Sequence, residues 1–502
     1  MYIKMKILFI NPPWYRLQNL VSTYPPMGSL YIASLLEKNG YDCVIWNADY
    51  CDKSSGVTEG SSTINMYNMS KLHKQYLDIL NNLDSPIWQE VKQVIKNQQP
   101  DVIGLLSYTS SLASVKNVAK ITKQINKSII VICGGPHATI APIDLIENKN
   151  IDYVIKGEGE STTLKLLNNI NNSKKFADIK GLYYKNGNEI LFTGEKQSFE
   201  DLDKLYLPAK HLLLNNKKLP SVVFQPIFTT RGCPHQCIYC TSHKIHGYKT
   251  RIFPLDKTIE EIKSLKQNFN VHHFFICDDT FGQNLIHTKE LLNRIIDEKL
   301  HITWGCQTRG EKLNEELVFL MKKAGCTQVS IGVETGSPRI RKLIKKGNTV
   351  DDIIYASNLL KKYKIELAAF FMFGFPGETI NDIKMSLDLL HKIQPYTAHC
   401  NIATPDPGTE LLKMYKEKNR YTKKIDWNIF FHQNPVLFQL DNVDKKISAK
   451  VIDLLQRYFD SLNKKRQRMD LIKRFPLYIK IILKERLYKN PKYLVNKLKD
   501  LL

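Results

Sequence analysis

The stretch Arg231-Gly-Cys-Pro-His-Gln-Cys-Ile-Tyr-Cys240 decides the fold expected for this chain. It sets three cysteines at C-x3-C-x2-C spacing, directly after an apolar run that ends at Thr229-Thr230. In a reducing compartment such a cluster favours a metal centre over a disulfide. Three thiolates on one loop suit three irons of a [4Fe–4S] cluster and leave the fourth iron open to a small ligand. Zinc is the alternative, since His235, His243 or His246 would supply its fourth ligand.

The cysteine loop lies in a series of alternating strand and helix patterns. The strands are expected at Val222–Thr229, Phe274–Cys277, Thr303–Gln307, Gln328–Gly332, Ala368–Phe373 and His399–Ala403. The helices between them are expected at Thr258–Gln267, Thr288–Glu298, Asn314–Lys323, Thr349–Lys362 and Ile380–Ile393. These six strands predict a partial or full parallel β/α barrel, whose active site lies at the carboxyl ends of the strands.

A second alternating series precedes the cysteine loop. Its strands are expected at Lys6–Asn11, Asp42–Asn47, Asp101–Ser107, Ser128–Gly134 and Tyr153–Lys156, with helices at Pro26–Asn39, Ser114–Ile125 and Ile143–Glu147. This pattern predicts an α/β domain with a doubly wound, Rossmann-like parallel sheet. Ligands bind such sheets in loops at the carboxyl ends of the strands, here Asn11–Pro13, Ser107–Ser111, Gly134–Thr139 and Gly157–Ser161.

Four regions follow from these patterns. Residues 1–177 form the first domain, with a polar, irregular insertion at 51–95 that carries a helix over Ser70–Asn81. Residues 178–221 are a linker with a small hairpin, and residues 222–430 form the barrel. Residues 431–502 are helical and basic, with 14 Lys and Arg against 4 Asp and Glu over Arg457–Leu502.

Composition excludes several classes of protein. With 43% apolar and 24% charged residues the chain is neither disordered nor collagen-like. No apolar run approaches the ~20 residues of a membrane-spanning helix, and the N-terminus reads as a strand rather than a signal peptide. A cytoplasmic location is therefore expected. The net charge of +23 is not taken as a sign of nucleic-acid binding, because Lys, Asn and Ile are abundant throughout the chain.

Further motifs follow the predicted barrel strands in chain order. They are Cys277-Asp-Asp-Thr-Phe281, Gln307-Thr-Arg309, Ser330-Ile-Gly-Val-Glu-Thr-Gly336, Phe371-Met-Phe-Gly-Phe-Pro-Gly377 and Pro405-Asp-Pro-Gly-Thr409. With these motifs, and with Tyr239 beside the last cysteine, the region 222–430 resembles the radical S-adenosylmethionine (SAM) superfamily.

This resemblance implies a [4Fe–4S] cluster on Cys233, Cys237 and Cys240, whose open iron is chelated by SAM. Reduction then cleaves SAM to a 5′-deoxyadenosyl radical. The resemblance places SAM contacts at Tyr239, Asp278, Asp279, Arg309, Glu334 and Gly374. Structural alternatives stay open for five of them. Asp278 and Asp279 would cap the following segment, Glu334 would pair with Arg309, Gly374 would serve a tight turn, and the Tyr239 ring would only pack.

The first domain is similar to the cobalamin-binding domain that precedes the barrel in one large radical SAM subfamily. The matching phrases are Pro25-Pro-Met-Gly28, Pro100-Asp-Val-Ile-Gly104, Gly134-Gly-Pro-His-Ala-Thr139 and Asp152-Tyr-Val-Ile-Lys-Gly-Glu-Gly-Glu160. The resemblance implies cobalamin-binding roles for Pro13, Ser107, Thr109, Gly134, Gly135, His137, Gly157 and Glu158. The D-x-H-x-x-G motif, whose histidine ligates cobalt in classical corrinoid proteins, is absent. The alternative is a flavodoxin-like domain that binds no ligand and only packs.

The subfamily resemblance implies a cobalamin-dependent radical SAM enzyme, most often one that methylates an unactivated carbon with methylcobalamin as the methyl donor. Members that cyclise or rearrange their substrates are one alternative, and an iron–sulfur or corrinoid sensor is another. The expected partners are a small-molecule, lipid or natural-product substrate and a low-potential electron donor such as flavodoxin or ferredoxin. A tRNA-modifying enzyme is disfavoured because Cys43, Cys51 and Cys133 do not form a second cysteine trio. No nucleic-acid partner is expected.

The basic C-terminal region has two interpretations. Apolar residues alternate with Lys and Arg at helical spacing over Phe475–Leu502, a pattern typical of helices that lie on an anionic membrane. A peripheral membrane contact through residues 473–502 would suit a lipid substrate. The favoured alternative is a helical cap whose apolar face covers the barrel.

Overall fold

The structure is a computed structural model. It describes residues 5–18, 20, 22–51, 69–172, 176–418, 420, 426–429, 434, 437–441 and 443–484. Within these residues the chain forms two parallel-sheet domains and a long C-terminal helix, as the sequence predicted. None of the described helices is both long and apolar enough to cross a bilayer.

The first domain is built on a seven-stranded sheet. Its strands are β1 (Lys6–Asn11), β2 (Asp42–Asn47), β3 (Val102–Leu106), β4 (Ile130–Gly134), β5 (Tyr153–Ile155), β6 (Leu182–Asn186) and β7 (Glu189–Phe192). They lie in the order β2-β1-β3-β4-β5-β6-β7. The first five strands pair in parallel, whereas β6 and β7 are antiparallel. The hairpin assigned to the linker is thus part of this sheet.

Seven helices cover the two faces of this sheet. They are α1 (Met27–Lys38), α2 (Met69–Asn81), α3 (Pro86–Gln98), α4 (Leu112–Ile125), α5 (Pro136–Ile140), α6 (Ile143–Ile146) and α7 (Glu160–Asn172). The prediction of an irregular insertion at 51–95 was wrong for α3. This helix begins with a proline at its first position, which suits a helix start, and buries Trp88, Val91 and Ile95 on one face. Residues 52–68 lie outside the described residues.

The second domain is a partial barrel of six parallel strands. They are β8 (Pro226–Ile227), β11 (His273–Ile276), β12 (Thr303–Thr308), β13 (Cys326–Glu334), β14 (Glu366–Phe373) and β15 (Thr397–Ile402), in that order across the sheet. Between the first two, β9 (Thr230–Arg231) and β10 (Arg251–Ile252) form a separate antiparallel pair. The strand expected at Val222–Thr229 is mostly wrong, because Ser221–Phe224 is a 3₁₀ turn and only two residues pair.

The barrel helices are α8 (Ser242–His246), α9 (Leu255–Phe269), α10 (Leu285–Asp297), α11 (Glu315–Lys323), α12 (Pro338–Leu343), α13 (Val350–Lys362), α14 (Ile380–Ile393) and α15 (Glu410–Glu417). Capping boxes begin α13 at Thr349 and α14 at Thr379, where each threonine accepts a hydrogen bond from the backbone of the aspartate three residues on. These caps fix the residue at which each helix starts.

The last described helix, α16 (Lys445–Lys484), closes the open edge of the barrel sheet. The Asn463 side-chain amide donates to the carbonyl of Ala398 (2.8 Å) and accepts from its N–H (2.9 Å), as a neighbouring strand would. Phe459 packs edge-on against Phe371 and Phe373 of β14. The first half of α16 thus covers the barrel edge, ahead of residues 473–502, to which the cap and membrane interpretations refer. Residues 485–502, on which much of the membrane interpretation rests, lie outside the described residues.

Candidate active site

The three cysteines lie on the loop that follows β9. Gly232 precedes this loop with a φ of +94°, and a Cβ there would stand 2.5 Å from the Lys249 carbonyl, so only glycine fits. Cys233 Sγ lies 3.7 Å from the Thr280 hydroxyl at the end of β11. Cys240 Sγ accepts from the Ser242 N–H at 3.4 Å. The loop is therefore held from both sides.

The electrostatics of the loop fit a cationic cluster. Burial, together with the neighbouring Cys237, Asp279 and Cys233, raises the pKa of the Cys240 thiol to about 12. Thiols in such a place ionise only when a cation compensates their charge, and the irons of a cluster supply that compensation. The Arg309 guanidinium adds a positive charge 3.7 Å from Cys237 Sγ.

Two of the histidines that would complete a zinc site contact other side chains. His246 Nδ1 lies 2.9 Å from a Glu158 oxygen, and the His243 ring stacks on Tyr248. In the part of the chain that the structure describes, no three His, Cys, Asp or Glu side chains converge closely enough to hold a single metal ion. A cluster does not need that convergence, because each thiolate binds a different iron.

Asp278 and Asp279 bind the strand that leads into the cysteine loop. Asp278 is fully buried and accepts hydrogen bonds from the N–H groups of Thr229 (2.7 Å) and Thr230 (2.9 Å). Asp279 accepts from the Gly232 N–H at 3.1 Å. Burial raises the pKa of Asp278 to about 6 despite these bonds. The alternative that both aspartates cap the following segment is therefore wrong. Asp278 instead binds the backbone that leads into the cysteine loop.

Glu334 ends β13 at the same edge of the sheet. A register shift beside Gly332 and a left-handed backbone (φ +62°) turn its side chain inward, where it is buried. Glu334 Oε1 accepts from Lys346 Nζ (2.9 Å) and from the Tyr239 hydroxyl (3.0 Å). Strain of this kind in a non-glycine residue is typical of functional sites. The alternative pairing with Arg309 is wrong, because Lys346 is the partner.

Arg309 and Gly374 occupy the ends of β12 and β14. Arg309 forms an ion pair with Glu311 and donates to the Lys346 carbonyl, so its guanidinium is fixed beside Cys237. Gly374 has a φ of +92°, and its carbonyl accepts from the Tyr415 hydroxyl at 3.1 Å. The barrel therefore brings the cysteines, Tyr239 and the five other predicted SAM contacts to the carboxyl ends of its strands.

The predicted cobalamin crevice lies at the carboxyl edge of the first sheet. At Gly134 and Gly157 a Cβ would meet nothing within 4 Å, so both backbones face open space. Gly135, with a φ of +103°, allows the turn into α5, and Pro13 is buried at the end of β1. The Ser107 hydroxyl accepts from the Ala138 N–H at 3.1 Å. An open, glycine-lined cradle of this kind suits a flat macrocycle that approaches the backbone closely.

His137 positions the crevice loop. Its ring is fully buried, with Nδ1 3.1 Å from the Thr109 hydroxyl and Nε2 facing Asp144 Oδ2 at 3.4 Å. Trp427, from beyond the barrel, donates to the same Asp144 oxygen at 2.7 Å. The neighbouring His137 and the hydrogen bond from Trp427 hold the pKa of Asp144 below its usual value. Within the described residues the ring is thus held through Nδ1, whereas the buried Nε2 faces Asp144 without forming a hydrogen bond.

Glu158 is turned away from the crevice. Its side chain is 2% exposed and is engaged by Arg251, His246 and the Glu200 N–H. The surroundings of this carboxylate therefore give no support to a contact with cobalamin.

Lys346, Arg231 and Glu160 are site residues that sequence reasoning missed. Lys346 lies twelve positions after Glu334, too far for any local spacing to connect the two.

The loops that carry the two candidate cofactor sites lead into helices that touch each other. Helix α5, which follows the Gly134-Gly135 turn of the crevice, lies against α8, which follows the cysteine loop. In the barrel loop after β15, a Cβ on Gly408 would stand 2.6 Å from the Ile140 side chain of α5. The crevice and the cysteine loop thus open toward one interface.

Comparisons with known proteins agree with this architecture. The model of the radical SAM superfamily matches residues 227–390, and the model of the B12 binding domain matches residues 71–167. An uncharacterized methyltransferase of Pyrococcus horikoshii is 30% identical over 461 residues, which are 90% of this chain and 93% of that protein. The anaerobic magnesium-protoporphyrin IX monomethyl ester cyclase of Rubrivivax gelatinosus is 25% identical over 91% of this chain and 77% of its own length.

A solved structure shares the fold. The radical SAM methyltransferase TsrM from Kitasatospora setae, with cobalamin and a [4Fe-4S] cluster bound, superimposes with a TM-score of 0.65. It is 16% identical, and the match covers 83% of this chain and 78% of that one. The expected fold class is confirmed.

Proposed function

Because the chain belongs to the radical SAM superfamily, in the subfamily with an N-terminal B12-binding domain, we propose that it methylates an unactivated carbon of a small-molecule, lipid or natural-product substrate. The observation that carries this proposal is the contact of α5 with α8, since it turns the glycine-lined crevice toward the cysteine loop. Radical transfer and methyl transfer must reach the same substrate atom, and only facing sites allow this.

Each group of residues has a distinct role in this proposal. Cys233, Cys237 and Cys240 hold the cluster, and Arg309 compensates the charge beside Cys237. The cluster, SAM and cobalamin, when bound, supply the electron, the organic radical and the methyl group. Glu334, fixed by Lys346 and Tyr239, presents a carboxylate at the barrel mouth that accepts hydrogen bonds from SAM.

The protein's further contribution is orientation and exclusion of water. Asp278 and Asp279 hold the approach to the cysteine loop, so that the loop keeps one position during turnover. In the crevice, Ser107, Thr109 and His137 shape the loop and Gly135 allows its turn, while Gly134 and Gly157 let the backbone approach the corrin ring. A low-potential electron donor such as flavodoxin or ferredoxin is the partner that this chemistry requires.

Oxidative cyclisation is the second candidate. It is favoured by the relative from Rubrivivax gelatinosus, which matches 91% of this chain and is named a cyclase. Incubation with methyl-deuterated SAM separates the two: methylation moves the deuterated methyl group out of SAM into another molecule, which mass spectrometry detects. Formation of 5′-deoxyadenosine with no loss of the labelled methyl group would favour cyclisation.

The first experiment is a measurement of cofactor content. After anaerobic purification with cobalamin supplied, we expect about four irons and one corrinoid per chain. The triple variant Cys233→Ala, Cys237→Ala, Cys240→Ala should lose the iron and keep the corrinoid. Cys43→Ala is the matched control, since this buried thiol of β2 lies in the other domain and should leave both contents unchanged. Iron without corrinoid in the unaltered protein would contradict the methyl-transfer proposal.

A further inference from the structure

A buried ion network joins the two domains directly beside the cysteine loop. Arg231, two residues before Cys233, donates from Nη1 to Glu160 Oε1 at 2.8 Å and lies 3.4 Å from Glu158 Oε1. Arg251 donates to both oxygens of Glu158, at 3.0 and 2.6 Å. Glu158 lies in the loop after β5 and Glu160 is the first residue of α7, both in the first domain, whereas the arginines belong to the barrel domain.

Backbone pairing sets the two arginines side by side. Arg231 of β9 is the register partner of Arg251 of β10, and the two strands enclose the cysteine loop and α8. His246, the last residue of α8, reaches the same carboxylate at 2.9 Å. The segment that carries the three cysteines is thus tied to Glu158 at three points along its length.

The network is enclosed by aromatic rings. The Arg231 guanidinium lies 4.8 Å from the centroid of Tyr31, in α1 of the first domain, and 5.6 Å from that of Phe253. The Arg251 guanidinium lies 4.9 Å from the Phe199 ring. Cation–π contacts of desolvated guanidinium groups are worth more than exposed ones, so the rings strengthen the same interdomain contact.

The charges in this network are balanced and hidden from water. The side chains of Glu158, Glu160 and Arg231 are 2%, 4% and 8% exposed. Burial alone would raise the pKa of Glu158, but His246 and the two arginines hold it well below its usual value. Every member therefore depends on its partners, because an unpaired buried charge is strongly destabilising.

We propose that Glu158 and Glu160 are positioning residues for the iron–sulfur cluster, which fix the cysteine loop against the cobalamin-binding domain and neutralise the two arginines beside it. This assigns the acidic Gly157-Glu158-Gly159-Glu160 loop to the cluster rather than to the corrinoid. The inference rests on the proposed function only in requiring that the three cysteines hold a cluster.

The test is the midpoint potential of the cluster in the full-length, reconstituted protein, followed by the electron paramagnetic resonance signal of the reduced state. Reduction adds a negative charge to the cluster. Glu160→Gln removes one negative charge and leaves Arg231 with only its longer contact to Glu158, so it should shift the potential upward, whereas Arg231→Gln should shift it downward. The double variant Arg231→Gln, Glu160→Gln removes both charges and should return the potential close to that of the unaltered protein.

Two controls separate positioning from general damage. Arg231→Lys keeps the positive charge and should keep the potential even if the protein is less stable. Glu195→Gln removes an exposed carboxylate (65%) that pairs with Lys156 in the first domain, and should change nothing. If the single variants lose their iron, restoration in the double variant still supports the proposal.

Two results would overturn it: single variants whose potentials stay unchanged or move in the same direction, or iron loss that the double variant does not restore. An unaltered protein that binds no cluster would instead refute the proposed function. The two failures are therefore distinguishable in one series of samples.

Discussion

Replacing Lys346 should destabilise the barrel and disturb the Glu334 site at the carboxyl ends of its strands. Its side chain is 6% exposed and pairs with the 9% exposed Glu334 at 2.9 Å. Its Nζ also lies 3.3 Å from the Tyr239 hydroxyl. Methionine at this position keeps the apolar length of the side chain and removes only the charge. Removing one partner of a buried ion pair costs about 3–5 kcal/mol of folding free energy, since the other charge stays buried without compensation.

The assay is denaturant unfolding of the anaerobic holoenzyme, followed by tryptophan fluorescence, with SAM affinity measured on the same samples. Lys346→Met should lower the free energy of unfolding of the barrel by about 3–5 kcal/mol. It should also weaken SAM binding, because Glu334 loses the group that fixes it. The double variant Lys346→Met, Glu334→Gln should recover most of the stability, since a neutral amide still accepts from Tyr239.

The neighbouring lysine provides a matched control. Lys345 pairs with Glu410 at 2.6 Å, but both side chains are about half exposed (50% and 48%). Lys345→Met should therefore cost less than about 1 kcal/mol. The reasoning is refuted if both methionine variants cost the same, or if the double variant is less stable than Lys346→Met alone.

Two further predictions concern other buried charges. Burial raises the pKa of Glu378 to about 8, so the native state holds this proton more tightly than the unfolded chain does, and the free energy of unfolding should fall as pH rises from about 5 to about 8. Glu378→Gln should flatten that dependence in denaturation curves at several pH values, and an equal slope in the variant would contradict the assignment. Lys210 donates to the carbonyls of Phe224 (2.9 Å) and Pro226 (2.7 Å) and pairs with Glu261 at 3.2 Å. Lys210→Met should lower the free energy of unfolding by about 3–5 kcal/mol. Lys204→Met is the control and should leave the free energy of unfolding almost unchanged, because the Lys204 side chain is 83% exposed. Equal losses in the two variants would show that burial of the Lys210 pair does not cause the destabilisation.

The positions of most strands and the two-domain fold class were predictable because apolar runs and strand-end motifs are local. β1, β2, β14 and α14 lie within two residues of their expected bounds. The strand predicted at Val222–Thr229 was mostly wrong. The apolar residues between Pro220 and Pro226 are as well buried in a tight turn as they would be in a strand, and proline limits strand pairing. Local pattern alone does not separate a short strand from a buried turn.

The site residues that sequence missed are those whose partners come from other elements. The motif around Asp278 singled this residue out as a SAM contact, but it did not indicate that its carboxylate accepts hydrogen bonds from the Thr229 and Thr230 backbone. The Gly-Glu-Gly-Glu loop was recognised by its glycines, yet the partners of Glu158 lie 88 and 93 positions away. Such pairings depend on how the two domains pack against each other, which the spacing of residues within one segment of the chain does not indicate.

The amide of Asn463 has a consequence for the order in which the protein is made. β15 is the edge of its sheet, and an unpaired edge strand is a template for aggregation. Its cover comes from α16, which begins more than forty residues after β15 ends. During synthesis the barrel strands therefore leave the ribosome well before Asn463, whose side chain pairs with the edge strand, has been made. Until Asn463 reaches Ala398, the nascent chain carries an open edge that a chaperone would have to shield.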